Sequence, residues 1–283
     1  MPTMTPTTNA VFIPQIWSKE ILGIVKANLV MANRVWRFDQ DIAEYGNTIN
    51  IPNVSALAAV AKVPGTEVTF QANTETNKVI TINKYNTAPF QLEAITAIQS
   101  QYDLRSIYTD AAGYALAKAI DTDLTGLYTT VAAGNIITPV ATIGDTQVIA
   151  AIAKLDAVDA PRDNRSFVIH STTMGDLRAV SKFSQYDNTG STGVGVGGNN
   201  GLVANVYGID VFMSNNIGYV LGTPNVSHNL VFHQQAFALA MQKDVTVWAQ
   251  QMARSLSWEI VPFVLYGVVT TRPTFAVDLG KNG

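Results

Sequence analysis

Cysteine is absent from the 283 residues. That excludes disulfides, thiolate metal sites and cysteine nucleophiles together. Charge is scarce too: 14 % of residues are charged against 47 % hydrophobic, where a soluble domain usually carries about 25 % charged residues. A monomer so poor in charge has trouble dressing its surface, so the composition predicts a surface largely covered by other chains. The bland alternative is a surface rich in Thr, Asn, Gln and Ser, which are also abundant. No basic run occurs and the formal net charge is −3, so nothing argues for specific nucleic-acid binding. No apolar run reaches the roughly 18 residues of a membrane-spanning helix. The start, Met1 to Thr8, has neither a charged head nor an apolar stretch and does not read as a signal peptide.

Catalytic constellations are missing as well. Gly193-Val194-Gly195-Val196-Gly197-Gly198 formally fits a dinucleotide pattern. The mechanism needs a strand before it and a helix N-terminus after it; here polar loop precedes and Asn199-Asn200-Gly201 follows. The three histidines, His170, His228 and His233, show no ligand-pair spacing and read as solvated or satisfied side chains. Asp121 and Asp123, two apart on a helix, point to different faces and read as solvated charge, as do Asp39 and Asp41. No nucleophile elbow or Ser-x-x-Lys motif is present. No catalytic, cofactor or metal site is expected.

What is present is organised around Gln91 to Val131. Apolar positions three or four apart, among them Ile95, Ile98, Tyr102, Leu104, Tyr108, Ala111, Ala115, Leu116, Ile120, Leu124, Leu127 and Val131, predict one helix, entered through Pro89. At about 1.5 Å per residue it would span roughly 60 Å. Before it, a polar arm leads to a helix predicted over Pro14 to Val35, with Trp17 and Trp36 as large apolar anchors of a core or of a neighbouring subunit. Thr48 to Ile51 and Lys78 to Lys84 alternate like paired strands. Between them lies an excursion with a turn at Pro64-Gly65 and an apolar interior, including Leu57, Val60, Val63 and Phe70. An apolar excursion that leaves its own core needs something else to cover it.

After the long helix, a connector at 134–144 precedes a helix over Thr146 to Asp159, capped by Asp145. A buried strand is predicted at Ser166 to His170, then a helix over Met174 to Phe183 with Ser171 to Thr173 as its cap. Residues 187–201 form a Gly-rich loop. Strands follow at Val206 to Met213 and Asn229 to His233. Ala236 to Gln242 fits either a strand or a helical turn. Val245 to Trp248 begins another apolar piece, and Ser257 to Leu279 is strand-like.

This order of arm, β excursion, long helix, α/β lobe with Gly-rich loop, and closing strands resembles the major capsid proteins of tailed bacteriophages, with their Hong Kong 97-type α+β fold. Trp17-Ser18-Lys19-Glu20, Gly46 to Pro52 and Asn83-Lys84-Tyr85 carry the same texture, and the resemblance spans nearly the whole chain. It implies an N-terminal arm at 1–46 and an extended loop at 47–90 that lies over a neighbouring subunit. It implies a peripheral domain with the spine helix at 91–144, an axial domain at 145–255, and C-terminal strands at 256–283 returning to the peripheral domain. The loop at 187–201 would sit near the five- or six-fold centre. The implied function is self-assembly as pentamers and hexamers into an icosahedral head shell around double-stranded DNA, without sequence-specific binding or membrane contact, in the virion after assembly in the host bacterial cytoplasm. Implied partners are other copies, a separate scaffolding protein, a portal at one vertex and decoration proteins. Candidate inter-subunit contacts are Trp17, Trp36, Leu57, Val60, Lys62, Val63 and Phe70.

Some members of that family crosslink a loop lysine to a neighbour's asparagine. Lys62 lies near the loop tip, but no acid or asparagine partner is identifiable, and subunits are expected to stay uncrosslinked. Two alternatives stay open on the sequence. One is an encapsulin-type cellular compartment, which would co-purify with cargo protein. The other is a ligand-binding α/β protein using 187–201, which would be a monomer stabilised by its ligand.

Overall fold

Two sheets and one long helix organise the described residues. The computed structural model describes residues 30–42, 45–54, 57, 59–67, 70, 75–95, 104–180, 182, 202–222 and 224–283. In the first sheet, β1 (Trp36–Arg37) runs parallel to β12 (Phe237–Met252), which pairs antiparallel with β13 (Ser257–Thr270). The far edge of β13 carries β4 (Lys84–Thr87) and β5 (Phe90–Glu93). The second sheet has the order β6 (Ile136–Val140), β14 (Ala276–Asn282), β11 (Val226–His233), β7 (Arg165–Ile169), β9 (Ile209–Met213), β8 (Leu202–Val206), with β10 (Tyr219–Val220) on the start of β11. β2 (Thr48–Asn53) and β3 (Thr76–Thr81) form a separate two-stranded ribbon.

The helix α1 spans Leu104–Thr125 and tightens into a 3₁₀ turn over Gly126–Thr130. It does not begin at Gln91. Residues 90–93 are strand β5, with Phe90 opposite Ile260 and Leu92 opposite Trp258. Their inward and outward alternation is that of a strand: Leu92 is buried, Gln91 and Glu93 exposed. Ala94 and Ile95 are helical; Ile98 and Tyr102 lie outside the described residues. The buried stripe of α1 runs through Ala112, Leu116, Ala117, Ile120 and Leu124. Ala111 and Ala115 face outward.

Downstream, α2 (Asp145–Ala157) starts one residue earlier than predicted and ends two earlier: its cap is Gly144, whose N–H donates to the Gln147 side chain at 3.0 Å, and Asp145 is the first helical residue rather than the cap. The connector after α1 contains β6. The next helix, α3 (Ser171–Ala179), is shorter than predicted and starts earlier. Its cap is His170, whose ring accepts the Thr172 N–H at 3.3 Å, so Ser171 to Thr173 are inside the helix. Val206 to Met213 is a hairpin of β8 and β9 that turns through Tyr207 and Gly208, both at positive φ. The segment open to two readings, Ala236 to Gln242, belongs chiefly to β12, a 16-residue strand. Of the helix predicted over Pro14 to Val35, only residues from 30 are described, and 32–34 form a turn.

One continuous core joins the sheets. Leu116, Ile120 and Leu124 of α1 pack with Phe167, Val231, Phe232, Phe237 and Tyr266. Met31 and Val35, next to the start of β1, are buried in the same cluster. A smaller cluster of Ile42, Ile80, Ile82, Ala238 and Ala240 fastens the base of the ribbon to the opposite face of the first sheet. The approach there is close enough that a Cβ on Gly267 of β13 would run into the backbone at Thr81 and Ile82. The closing strands part company: β13 stays with β12, while β14 enters the second sheet.

Candidate inter-subunit surface

The ribbon leaves the body soon after its base. In β3 only Ile80 is buried, and Thr76 to Val79 are exposed. Side chains add to the backbone ladder in its outer half: Asn77 Nδ2 donates to Asn50 Oδ1 at 2.8 Å and Asn53 Nδ2 to Thr76 Oγ1 at 3.2 Å. An isolated two-stranded ribbon is marginal in water, so this one needs cover.

At the far end the chain reverses through Val63-Pro64-Gly65-Thr66. Proline sits second in the turn, and glycine third, at φ 88°, the arrangement of a type II turn. The Val63 carbonyl accepts the Thr66 N–H at 3.3 Å and its hydroxyl at 2.8 Å. On either side lie Leu57, 73 % exposed, Val60, Val63, and Phe70, 91 % exposed; Lys62 is exposed as well. The predicted apolar excursion is present, and the described parts of its own chain do not cover it. Trp36 lies in β1, partly exposed, with its ring 4.8 Å from that of Phe38. Trp17 lies outside the described residues, as does the loop at 187–201.

A second apolar surface escaped the sequence reading. On the face of the first sheet away from α1, Phe263 is flanked by Tyr85 at 5.6 Å and Trp248 at 5.2 Å between ring centroids, both edge-on. Trp248 is 67 % exposed and Tyr85 58 %. Aromatic side chains held by their neighbours on a sheet make effective anchors for a partner. The usable signal was the alternation around Trp248, which puts Val247 inward and Trp248 outward once a strand is assigned.

The paired carboxylates are joints rather than solvated charges, because α1 is packed on two sides. They do point apart. Asp121 Oδ1 accepts the Met31 N–H at 3.1 Å and Oδ2 accepts the Ser214 hydroxyl at 3.2 Å. Asp123 accepts the Tyr266 hydroxyl at 2.7 Å and faces Lys84 Nζ at 3.3 Å. Asp39 pairs with Arg37 and accepts the Met241 N–H at 2.9 Å. Nothing is described of the Asp41 side chain.

Burial pushes the Asp121 carboxyl above its ordinary range, and the bonds from Met31, Ser214 and Asn216 only partly offset that. Its ionised form therefore costs stability above the raised value, and the cost fades as pH falls toward the unfolded carboxylate value of about 4. Asp121→Asn keeps an acceptor for Met31 and is expected to raise Tm near neutral pH, with the gain shrinking in acid. Asp121→Ala is expected to cost about 1–3 kcal/mol by leaving a buried N–H unpaired. Thermal melts across pH check both.

The histidines are satisfied. His228 Nδ1 lies 2.7 Å from Asp278 Oδ2, and its ring stacks on Tyr128 at 3.9 Å. His233 accepts the Gln235 N–H at 3.3 Å. Among the described residues no group of three His, Cys, Asp or Glu could hold a metal. No described helix is long and apolar enough to cross a membrane. A polar cleft of about 370 Å³ is lined by Arg34, Arg165 and Asp210, among others. Arg165 there is spent on Asp156 at 2.6 Å and on two backbone carbonyls, and Arg34 lies over the Phe212 ring at 4.1 Å.

The family model that matches, described as Phage capsid protein, covers residues 75–277. No curated protein sequence matches the chain. Among solved structures, one from Mycobacterium phage Che8 is 26 % identical with a TM-score of 0.73, covering 89 % of this chain and 90 % of that one. The capsid of cyanophage P-SCSP1u is 19 % identical, with a TM-score of 0.70 over 88 % and 87 % of the two chains. The capsid of Ralstonia phage GP4 has the same fold at 10 % identity, with a TM-score of 0.69 over 88 % and 87 %.

Proposed function

Because this chain belongs to the phage capsid protein family, we propose that its uncovered excursion is the contact through which copies hold one another. The chain is a structural protein of the tailed-phage virion, and copies of it build the icosahedral head shell around the genome. The observation that carries the contact is the exposure of Leu57 and Phe70 beyond a ribbon that the described chain holds only at its base. Val60, Lys62 and Val63 belong to the same contact. Trp17 and Trp36 serve the arm side.

Copies group as pentamers and hexamers. The chain divides into an arm at 1–46, an extended loop at 47–90 and two units organised by the two sheets. The peripheral unit takes α1 and the sheet of β12 and β13; the axial unit takes the seven-stranded sheet and the loop at 187–201. The strand pairing favours moving the expected boundary at 255 back to Phe237, because 255 lies between two paired strands of one sheet, and favours counting β14, expected with the peripheral domain, with the axial unit. Heterologous contacts of this kind close into rings and shells. Assembly takes place in the host cytoplasm with a separate scaffolding protein, and a portal occupies one vertex. No step of this role calls for catalysis.

Sedimentation of the chain expressed with its scaffolding protein tests the proposal. Fast-sedimenting particles of uniform size are expected, with subunits running as 30.4 kDa monomers in denaturing gels. A monomer that persists at high concentration would overturn it.

A further inference from the structure

The free edge of β12 changes character along its length. Near its start the edge is closed. β1 pairs with Ala238 and Leu239, the Asp39 carboxylate takes the Met241 N–H at 2.9 Å, and Gln242 Nε2 reaches the Gly46 carbonyl at 2.8 Å. Two register shifts follow, between Met241 and Thr246, with exposed Lys243 and Asp244. Bulges and charges of this kind keep sheet edges from pairing.

Beyond Thr246 none of these devices continues. The register runs unbroken from Thr246 opposite Phe263 to Met252 opposite Ser257, and 246–252 contains no proline and no charge. Which groups point outward follows from β13. Its Pro262 carbonyl accepts the Ala88 N–H at 3.0 Å, so the even residues of β13 face β4 and β5, and the odd ones bond to β12. Thr246, Trp248 and Gln250, opposite Phe263, Val261 and Glu259, share those bonds. Val247, Ala249 and Gln251 therefore present their N–H and C=O groups outward, and no strand among the described residues meets them. A five-residue open edge with β-prone side chains and a Trp248 that is 67 % exposed is a template for an added strand.

The excursion supplies a matching segment. Residues 59–63, Ala-Val-Ala-Lys-Val, have no regular secondary structure. Within the described chain their only backbone bond is the one Val63 accepts in the turn. We propose that residues 59–63 of a second copy add as a strand to Val247–Gln251 of β12, with Trp248 closing over the added side chains. This rests on the reading that copies pack through the excursion, and it makes that contact a continuation of the first sheet from one subunit to the next.

Residue-resolved hydrogen exchange on assembled shells and on unassembled subunits tests it. In shells, the amides of Val247, Ala249, Gln251 and of 59–63 are expected to slow at least a hundredfold. Those of Thr246, Trp248 and Gln250 are expected to be protected in both states. Ala249→Pro removes an outward N–H and leaves the ladder to β13 intact; it is expected to melt within a few degrees of wild type and to yield at least tenfold fewer shells. Outward amides that exchange in shells as fast as in subunits would overturn the proposal. So would protection of the β12 edge while 59–63 stays open. A wild-type chain that forms no shells would count against the shell reading itself, whereas shells with an open β12 edge would count against this strand addition alone.

Discussion

A chain carrying Leu57→Asp and Phe70→Asp is expected to fold like the wild type and to lose shell formation. The two side chains are 73 % and 91 % exposed in the single chain, so removing them takes almost nothing from its own core. Surface changes of this kind usually move stability by less than about 0.5 kcal/mol. Burying a leucine or phenylalanine against a neighbour contributes about 1.5–3 kcal/mol each. Losing both takes roughly 3–6 kcal/mol from every such contact, or about two to four orders of magnitude in subunit affinity. Aspartate adds the cost of burying an unpaired charge. The check is a pair of measurements on one preparation: a thermal melt of the unassembled subunit, unchanged, and shell yield by sedimentation, lost. Loss of both together would mean that the excursion supports its own fold.

Tyr266→Ala is expected to act on the subunit itself and to lower its stability by about 3–5 kcal/mol. For a chain of this size that is a fall in Tm of roughly 6–20 °C. Tyr266 is fully buried in β13 under α1. Its hydroxyl donates to Asp123 Oδ2 at 2.7 Å and accepts from Asn86 Nδ2 at 2.8 Å, so it ties the helix, β13 and β4 at one point. Burial first, and then the Asp123 carboxylate, push its phenol far above the usual range, so it remains a donor at any working pH. Tyr266→Phe keeps the ring and removes the tie. It should cost about 1–3 kcal/mol, the penalty for leaving partly buried groups without a partner. Thermal melts of the three proteins separate the ring from the hydroxyl. Equal stability of all three would mean that the helix does not depend on this pin.

The excursion was legible in the sequence because two signals agreed there. Strict alternation flanked it, and Pro64-Gly65 marked its turn. The observed register, Thr48 opposite Thr81 through Asn53 opposite Thr76, follows from that alternation. The family resemblance was legible from the order of parts, and the match over residues 75–277 bears it out. Residues 90–95 were not legible, because Phe90, Leu92 and Ile95 satisfy a strand and a helix template alike. What decides is β13, which lies more than a hundred residues away in sequence and pairs Gln91 with Glu259. The same holds for β12, whose ambiguous start becomes strand only beside β13. Asp121 and Asp123 read as solvated because two charges on a helix usually are; the arm at Met31 and the sheet at Tyr266 come from opposite ends of the chain to cover them. Trp248 was missed for a related reason: its exposure depends on which face of the sheet α1 covers.

Electron microscopy of the assembled shell, at a resolution that traces the backbone, tests the central claim most directly. The account predicts that residues 57–70 of each subunit lie on a neighbouring copy, with Leu57 and Phe70 out of solvent. An excursion folded back onto its own subunit, or standing free of every neighbour, would contradict it.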